Sequence, residues 1–119
     1  MNITPKIFID STAEQWHPAG DGVERKLLGY DGDLMMMHVR FQKNAVGYIH
    51  SHPHRQVTYI ETGVFEVNIG SDKKILKAGD CYFVPPDIPH GVVARENGSL
   101  VDVFTPCRED IVAAHQNKN

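Results

Sequence analysis

The chain has 119 residues, of which 41% are apolar and 23% charged, with a net charge of −3. That length suits one domain around a single core, and the charge balance gives no reason to expect nucleic acid or an anionic membrane as a partner. No apolar run approaches the roughly 20 residues that a membrane helix needs, and the opening MNITPKIFIDST lacks the basic-then-apolar order of a signal peptide, so a cytoplasmic location is expected.

In chain order, Ser11-Thr12-Ala13-Glu14 fits a capping box, but Pro18 and Gly20 stop any helix quickly. After them come short β-prone runs broken by turn residues. Strands are expected near residues 24–30, 34–42, 47–51, 56–61, 64–69, 73–77, 81–84, 90–95 and 100–104. Asp31-Gly32 separates LLGY from LMMMHVRF, and Gly70-Ser71-Asp72 separates VFEVNI from KKILKAG. In VFEVNI and KKILK, apolar and polar residues alternate as half-buried strands require. Asn97-Gly98 is a two-residue hairpin signal ahead of LVDVF. The tail REDIVAAHQ has room for one or two helical turns. Neither linker, repeat nor low-complexity segment interrupts this pattern. So many short strands argue for a closed or sandwiched all-β fold rather than an open sheet with two bare edges. Cys81 and Cys107 are too sparse for a disulfide framework and read as two reduced thiols. Cys107 stands beside Arg108, a neighbour that lowers a thiol pKa, but nothing else marks it as a nucleophile.

Chemistry concentrates in HSHPHRQ, where His50, His52, His54 and Gln56 fall on alternate residues. Residues two apart share a side of an extended chain, and imidazole is the commonest protein metal ligand near neutral pH. Two registers are open for an HxH ligand pair. His52 with His54 puts Thr58 four residues on, a poor ligand for a borderline metal. His50 with His52 puts Gln56 there, whose carbonyl oxygen can coordinate, and Gly63 seven residues further, where a turn is needed. The second register is preferred. GDCYFVPPDIPH supplies His90, and Pro85, Pro86 and Pro89 fix φ at three points before it. His54 is left as a group at the cavity mouth, a proton carrier or an exposed side chain.

At these residues the chain resembles the cupins. Their first motif, G-x5-HxH-x3-E-x6-G, is matched in spacing by Asn44, His50-Ser51-His52, Gln56 and Gly63. Their second, G-x5-P-x-G-x2-H-x3-N, is matched by Gly79, Pro85, Asp87, His90 and Ala94. Asn44, Gln56, Asp87 and Ala94 depart from the pattern. The resemblance covers about residues 24–104 and implies a single domain over 1–119, a double-stranded β-helix (jelly-roll) barrel with minor short helices.

A glutamine in place of glutamate leaves a divalent ion its full charge. Such a site attracts anions and polarises bound oxygen as a Lewis acid, and it disfavours the higher oxidation states of oxygen activation. In LVDVF, Asp102 and Phe104 share a face. If Asp102 points into the barrel, desolvation raises its pKa into a useful acid/base range; if outward, it is an ordinary carboxylate. Phe104 is by default a core residue. Arg108 can clamp a carboxylate with its planar fork, or simply pair with Glu109 or Asp110.

The stretches GVERKLLGYDGDLMMMHVRF, HSHPHRQ and LVDVFTPCREDIV resemble the small pectin-degradation cupins of the KdgF type. That resemblance implies a metal-dependent enzyme that converts cyclic 4,5-unsaturated uronates, from pectin or alginate, into linear keto sugars. It implies a metal held by His50, His52, Gln56 and His90, with Asp102 as the acid/base group and Phe104 and Arg108 lining the substrate site. The expected cofactor is one divalent ion; nickel, zinc, iron and manganese all accept such a ligand set. The expected partners are a small anionic sugar and, by analogy with other small cupins, a second copy in a homodimer. The alternatives are a dioxygenase-type cupin and a metallo-cupin that binds a small ligand without turnover.

Overall fold

A computed structural model describes residues 4–116; the three outermost residues at each end of the expected 1–119 span lie outside the described residues. The elements are a 3-10 turn (Ser11–Ala13), β1 (His17–Pro18), β2 (Val23–Tyr30), β3 (Met35–Phe41), β4 (Val46–His50), β5 (Arg55–Thr62), β6 (Val64–Ile69), β7 (Asp72–Lys77), β8 (Cys81–Val84), β9 (His90–Ala94), β10 (Gly98–Thr105) and α1 (Glu109–Gln116). The nine expected strands all form, within two residues at each end. The two-residue β1 has no counterpart among them, because a pair of residues carries no readable period. Among the described residues no helix is long and apolar enough to cross a membrane.

All pairings are antiparallel. Six strands pair in the order β1-β2-β3-β10-β5-β8, and four in the order β4-β9-β6-β7. This is the expected all-β cupin barrel: two sheets face each other and bury alternate residues between them. The pattern is clearest in β3, where Met35, Met37, Val39 and Phe41 are buried while Met36 and Arg40 are exposed. From the other sheet come Phe65, Val67, Val92 and Ala94. Phe41 and Phe65 meet edge to face across the core with ring centroids 5.2 Å apart. Burying such a side chain contributes about 1.5–3 kcal/mol.

Three local expectations are corrected. The first turn is capped by Asp10 rather than Ser11, because the Asp10 carboxylate accepts from both the amide and the hydroxyl of Thr12. Asn97-Gly98 makes no hairpin: β9 pairs with β4 and β6, and β10 with β3 and β5, so the dipeptide carries the chain from one sheet to the other. A glycine is needed there because a Cβ on Gly98 would stand 2.6 Å from the carbonyl oxygen of Thr62. Cys107 is buried, and burial, assisted by the nearby acids, pushes its thiol up rather than down. Cys81 is exposed, and neither cysteine is bridged.

The two departures from the motif glycines have a common explanation. Asn44 has φ 72° and Asp87 φ 67°, while Gly63 and Gly79 have 84° and 95°. All four positions need the left-handed backbone. Asn and Asp are the side chains that tolerate it best.

Candidate active site

The HSHPHRQ segment is not one strand. His50 ends β4 in the four-stranded sheet, and Gln56 lies in β5 of the six-stranded sheet. His52 sits on the crossing between them, where Pro53 removes a backbone donor and halts ladder pairing. The loop before β9 is tied to this crossing, since the Asp87 amide donates to the His52 carbonyl at 2.8 Å. His90 opens β9 directly opposite His50. The two HxH residues and His90 thereby converge: one ligand atom from each of His50, His52 and His90 lies within 4.8 Å of the others. His50 is exposed and the other two are buried, so the cluster sits at a mouth of the barrel.

Each of the three rings is oriented by the backbone. His50 Nδ1 lies 2.9 Å from the carbonyl of Tyr48, His52 Nδ1 3.1 Å from that of His54, and His90 Nδ1 2.8 Å from that of Ile88. A carbonyl can only accept, so each Nδ1 carries the hydrogen and each Nε2 offers a lone pair. This is the tautomer and support that metal-ligating histidines require. Burial holds His90 neutral, with its pKa pushed down to about 4, and lowers that of His52 in the same way.

Two features fit a cation here. The buried Nε2 of His90 has no hydrogen-bond partner among the described residues. His52 Nε2 lies 3.0 Å from Gln56 Oε1, so in the neutral ring two lone pairs face one another, an arrangement a cation between them resolves. The amide of Gln56 is not free to turn. Its Nε2 donates to Thr58 Oγ1 at 2.9 Å and to Asp102 Oδ1 at 3.2 Å, and Thr58 Oγ1 donates to Asp102 Oδ1 at 2.6 Å. The carbonyl is therefore the end of Gln56 that faces the histidines. A glutamate at this position would set a second carboxylate against Asp102, which accounts for the departure from the cupin pattern.

Asp102 points inward, the first of the two orientations open to it. It is buried on β10 opposite Thr58 of β5, and Thr58 in turn pairs with Tyr82 of β8. Desolvation raises its carboxyl pKa to about 6; the Thr58 hydroxyl, the Arg108 charge and the Gln56 amide each pull back against it. Phe104, opposite Gln56, is buried and meets the His52 ring edge-on at 5.6 Å. Arg108 Cζ lies 5.3 Å from the Phe104 ring centroid. Arg108 also makes the ion pair with Asp110 that an ordinary surface arginine would make. His54 stays outside the cluster, its ring edge-on to His52 at 5.4 Å and its buried Nδ1 without a partner among the described residues.

Sequence reasoning passed over Thr58 and Tyr82. Thr58, a poor metal ligand, is instead the fully buried donor to Asp102. The phenol pKa of Tyr82 is raised by burial and then by the Asp102 charge. Alternation within β5 and β8 places both side chains inside, but only the pairing register brings them to Asp102. A groove of about 830 Å³ lies elsewhere, against Trp16, His38 and Arg40. Arg40 and Lys26 cover the Trp16 ring at 4.0 and 4.7 Å.

Residues 37–104 match the cupin domain family. The chain is 44% identical over 109 residues to the pectin degradation protein KdgF of Dickeya dadantii (strain 3937), covering 90% of this chain and 98% of that protein. Among solved structures, an RmlC-like cupin from Shewanella frigidimarina NCIMB 400 superposes with a TM-score of 0.87 at 40% identity, over 89% of this chain and 96% of that one. KdgF from a Halomonas species superposes with a TM-score of 0.83 at 35% identity, over 91% and 99%.

Proposed function

The chain belongs to the cupin family and, within it, to the KdgF proteins, and from that premise we propose that it is a metal-dependent enzyme that opens cyclic 4,5-unsaturated uronates into linear keto sugars. The observation that carries this reading is the buried carboxylate of Asp102, hydrogen-bonded to Gln56 beside the three-histidine cluster. A site built only to bind an anion gains nothing from a desolvated carboxylate. A site that moves a proton gains a base whose pKa, about 6, lies near the working pH.

His50, His52, His90 and the Gln56 carbonyl would hold one divalent ion, which when bound supplies Lewis-acid polarisation of substrate oxygens. The protein's own residues do the rest. Arg108 takes the sugar carboxylate, and Phe104 packs on the apolar face of the ring. Asp102 removes the proton of the anomeric hydroxyl. As the C1 carbonyl forms, the bond from C1 to the ring oxygen breaks to leave an enolate at C5, and the same proton, returned by Asp102 at C4, gives the ketone. The reaction is an isomerisation: no oxidant and no second substrate enters. The expected product of pectin or alginate breakdown, a small anionic sugar, has the charge that this cationic centre selects.

The test is direct. The conjugated double bond of an unsaturated uronate absorbs in the ultraviolet, and the metal-loaded protein should remove that absorbance faster than the spontaneous rate. Loss no faster than in buffer, with the ion demonstrably bound, rejects the reading.

A further inference from the structure

Arg108 is held from one side. Its Nε donates to Asp110 Oδ1 at 3.0 Å and its Nη2 to Asp110 Oδ2 at 2.9 Å. A guanidinium carries five N–H groups in a rigid plane. This pairing uses the flank formed by Nε and Nη2 and leaves the outer edge, formed by Nη1 and the second Nη2 hydrogen. Among the described residues no hydrogen bond is made to that edge. The plane is also fixed by packing: Cζ lies 5.3 Å from the Phe104 centroid, and Phe104 meets His52. The Arg108 side chain is 13% exposed while that of Asp110 is 65% exposed. The arginine is thus drawn into the site with its partner on the solvent side. Its charge is close enough to bear on His52, His90 and Asp102.

We propose that Asp110 is a positioning residue for substrate recognition: it locks Arg108 so that the Nη1/Nη2 edge is presented to the carboxylate of the sugar acid at the histidine cluster. The proposal deepens the reading above and rests on it for the substrate. An exposed ion pair adds little to stability; here the pair removes rotamer freedom from a long side chain before the ligand arrives, which is where preorganisation acts. A planar fork fixed on one flank offers a bidentate carboxylate contact on the other.

The experiment uses the metal-loaded full chain in four forms: parent, Asp110→Asn, Arg108→Ala and the double variant. Binding of saturated D-galacturonate, a uronate without the reactive double bond, is measured by calorimetry, and kcat and KM by loss of ultraviolet absorbance with the unsaturated uronate. Asp110→Asn should weaken galacturonate binding and raise KM about 5- to 10-fold, with kcat held within about twofold. The same substitution in the Arg108→Ala background should change neither constant. An unaltered dissociation constant in Asp110→Asn overturns the proposal. So does a loss of equal size with Arg108 absent, which marks a structural effect on the first turn of α1. The two readings fail separately. Turnover with unweakened Asp110→Asn binding sinks the positioning role alone. Weakened binding without turnover by the parent sinks the reaction and leaves the clamp. A parent that binds no uronate overturns both.

Discussion

Strands β5 and β10 lie side by side through the barrel, and their buried faces change character along the way. At one end Ile60 pairs with Leu100, both within the apolar core with Phe41 and Phe65. Two residues further along each strand, Thr58 pairs with Asp102, and beyond them Gln56 with Phe104. The alternation that fills a core at one end thus delivers a carboxylate, an amide and a hydroxyl to the same interior at the other. The apolar end contributes stability through area removed from water. The polar end costs stability, and the raised pKa of Asp102 is a measure of that cost. The fold can carry a desolvated carboxylate because it is short of nothing at the opposite end.

If that division holds, substitutions at the two ends should separate metal and turnover from folding. The largest expected effect is that of His90→Ala. It removes a ligand and should abolish bound metal, read by elemental analysis, together with activity, while the barrel survives. Asp102→Asn comes next. It should keep metal content and lower kcat by about 10²- to 10⁴-fold, the range for a lost general base; an unimpaired variant refutes the acid/base role. At the apolar end, Phe65→Ala should cost about 3–5 kcal/mol in denaturant unfolding through the cavity it leaves, with kcat unchanged in whatever fraction remains folded. Altered KM in Phe65→Ala would mean that the two ends are coupled.

A smaller effect has the opposite sign. The folded pKa of Asp102, about 6, lies above the unfolded 3.8. The folded state therefore holds the extra proton between those values. The energetic cost of the ionised group is complete above about pH 6 and vanishes as the pH falls to 3.8. Metal-free Asp102→Asn should accordingly be more stable than the parent at pH 7, by about 2–3 kcal/mol. The gain should fade on acidification through that window. Urea midpoints measured at pH 7 and pH 4 check it; equal differences at both would show that Asp102 is not desolvated.

Much of this division was legible in the chain. Alternation marks the strands, and motif spacing brings His90 to the HxH pair although 37 residues lie between His52 and His90 in sequence. Asn44 and Asp87 looked like blemishes in the motifs and are instead alternative solutions to a left-handed backbone. What escaped was long-range pairing. Asn97-Gly98 has the local chemistry of a hairpin, but its flanking strands belong to different sheets. Thr58 and Tyr82 are unremarkable strand residues until the registers of β5 with β10 and with β8 set them in a row with Asp102. The orientation of Gln56 was likewise unreadable, because Thr58 and Asp102 fix it.

The backbone tethers on the three imidazoles carry one more consequence. Because Tyr48, His54 and Ile88 aim the rings through their carbonyls, the three imidazoles are oriented by contacts that do not depend on an ion. Chelation should strip the protein without melting it, as judged by circular dichroism. One apoprotein preparation can then be reloaded in turn with nickel, zinc, iron or manganese, so that differences in rate between the reconstituted forms report the ion and not the history of the sample.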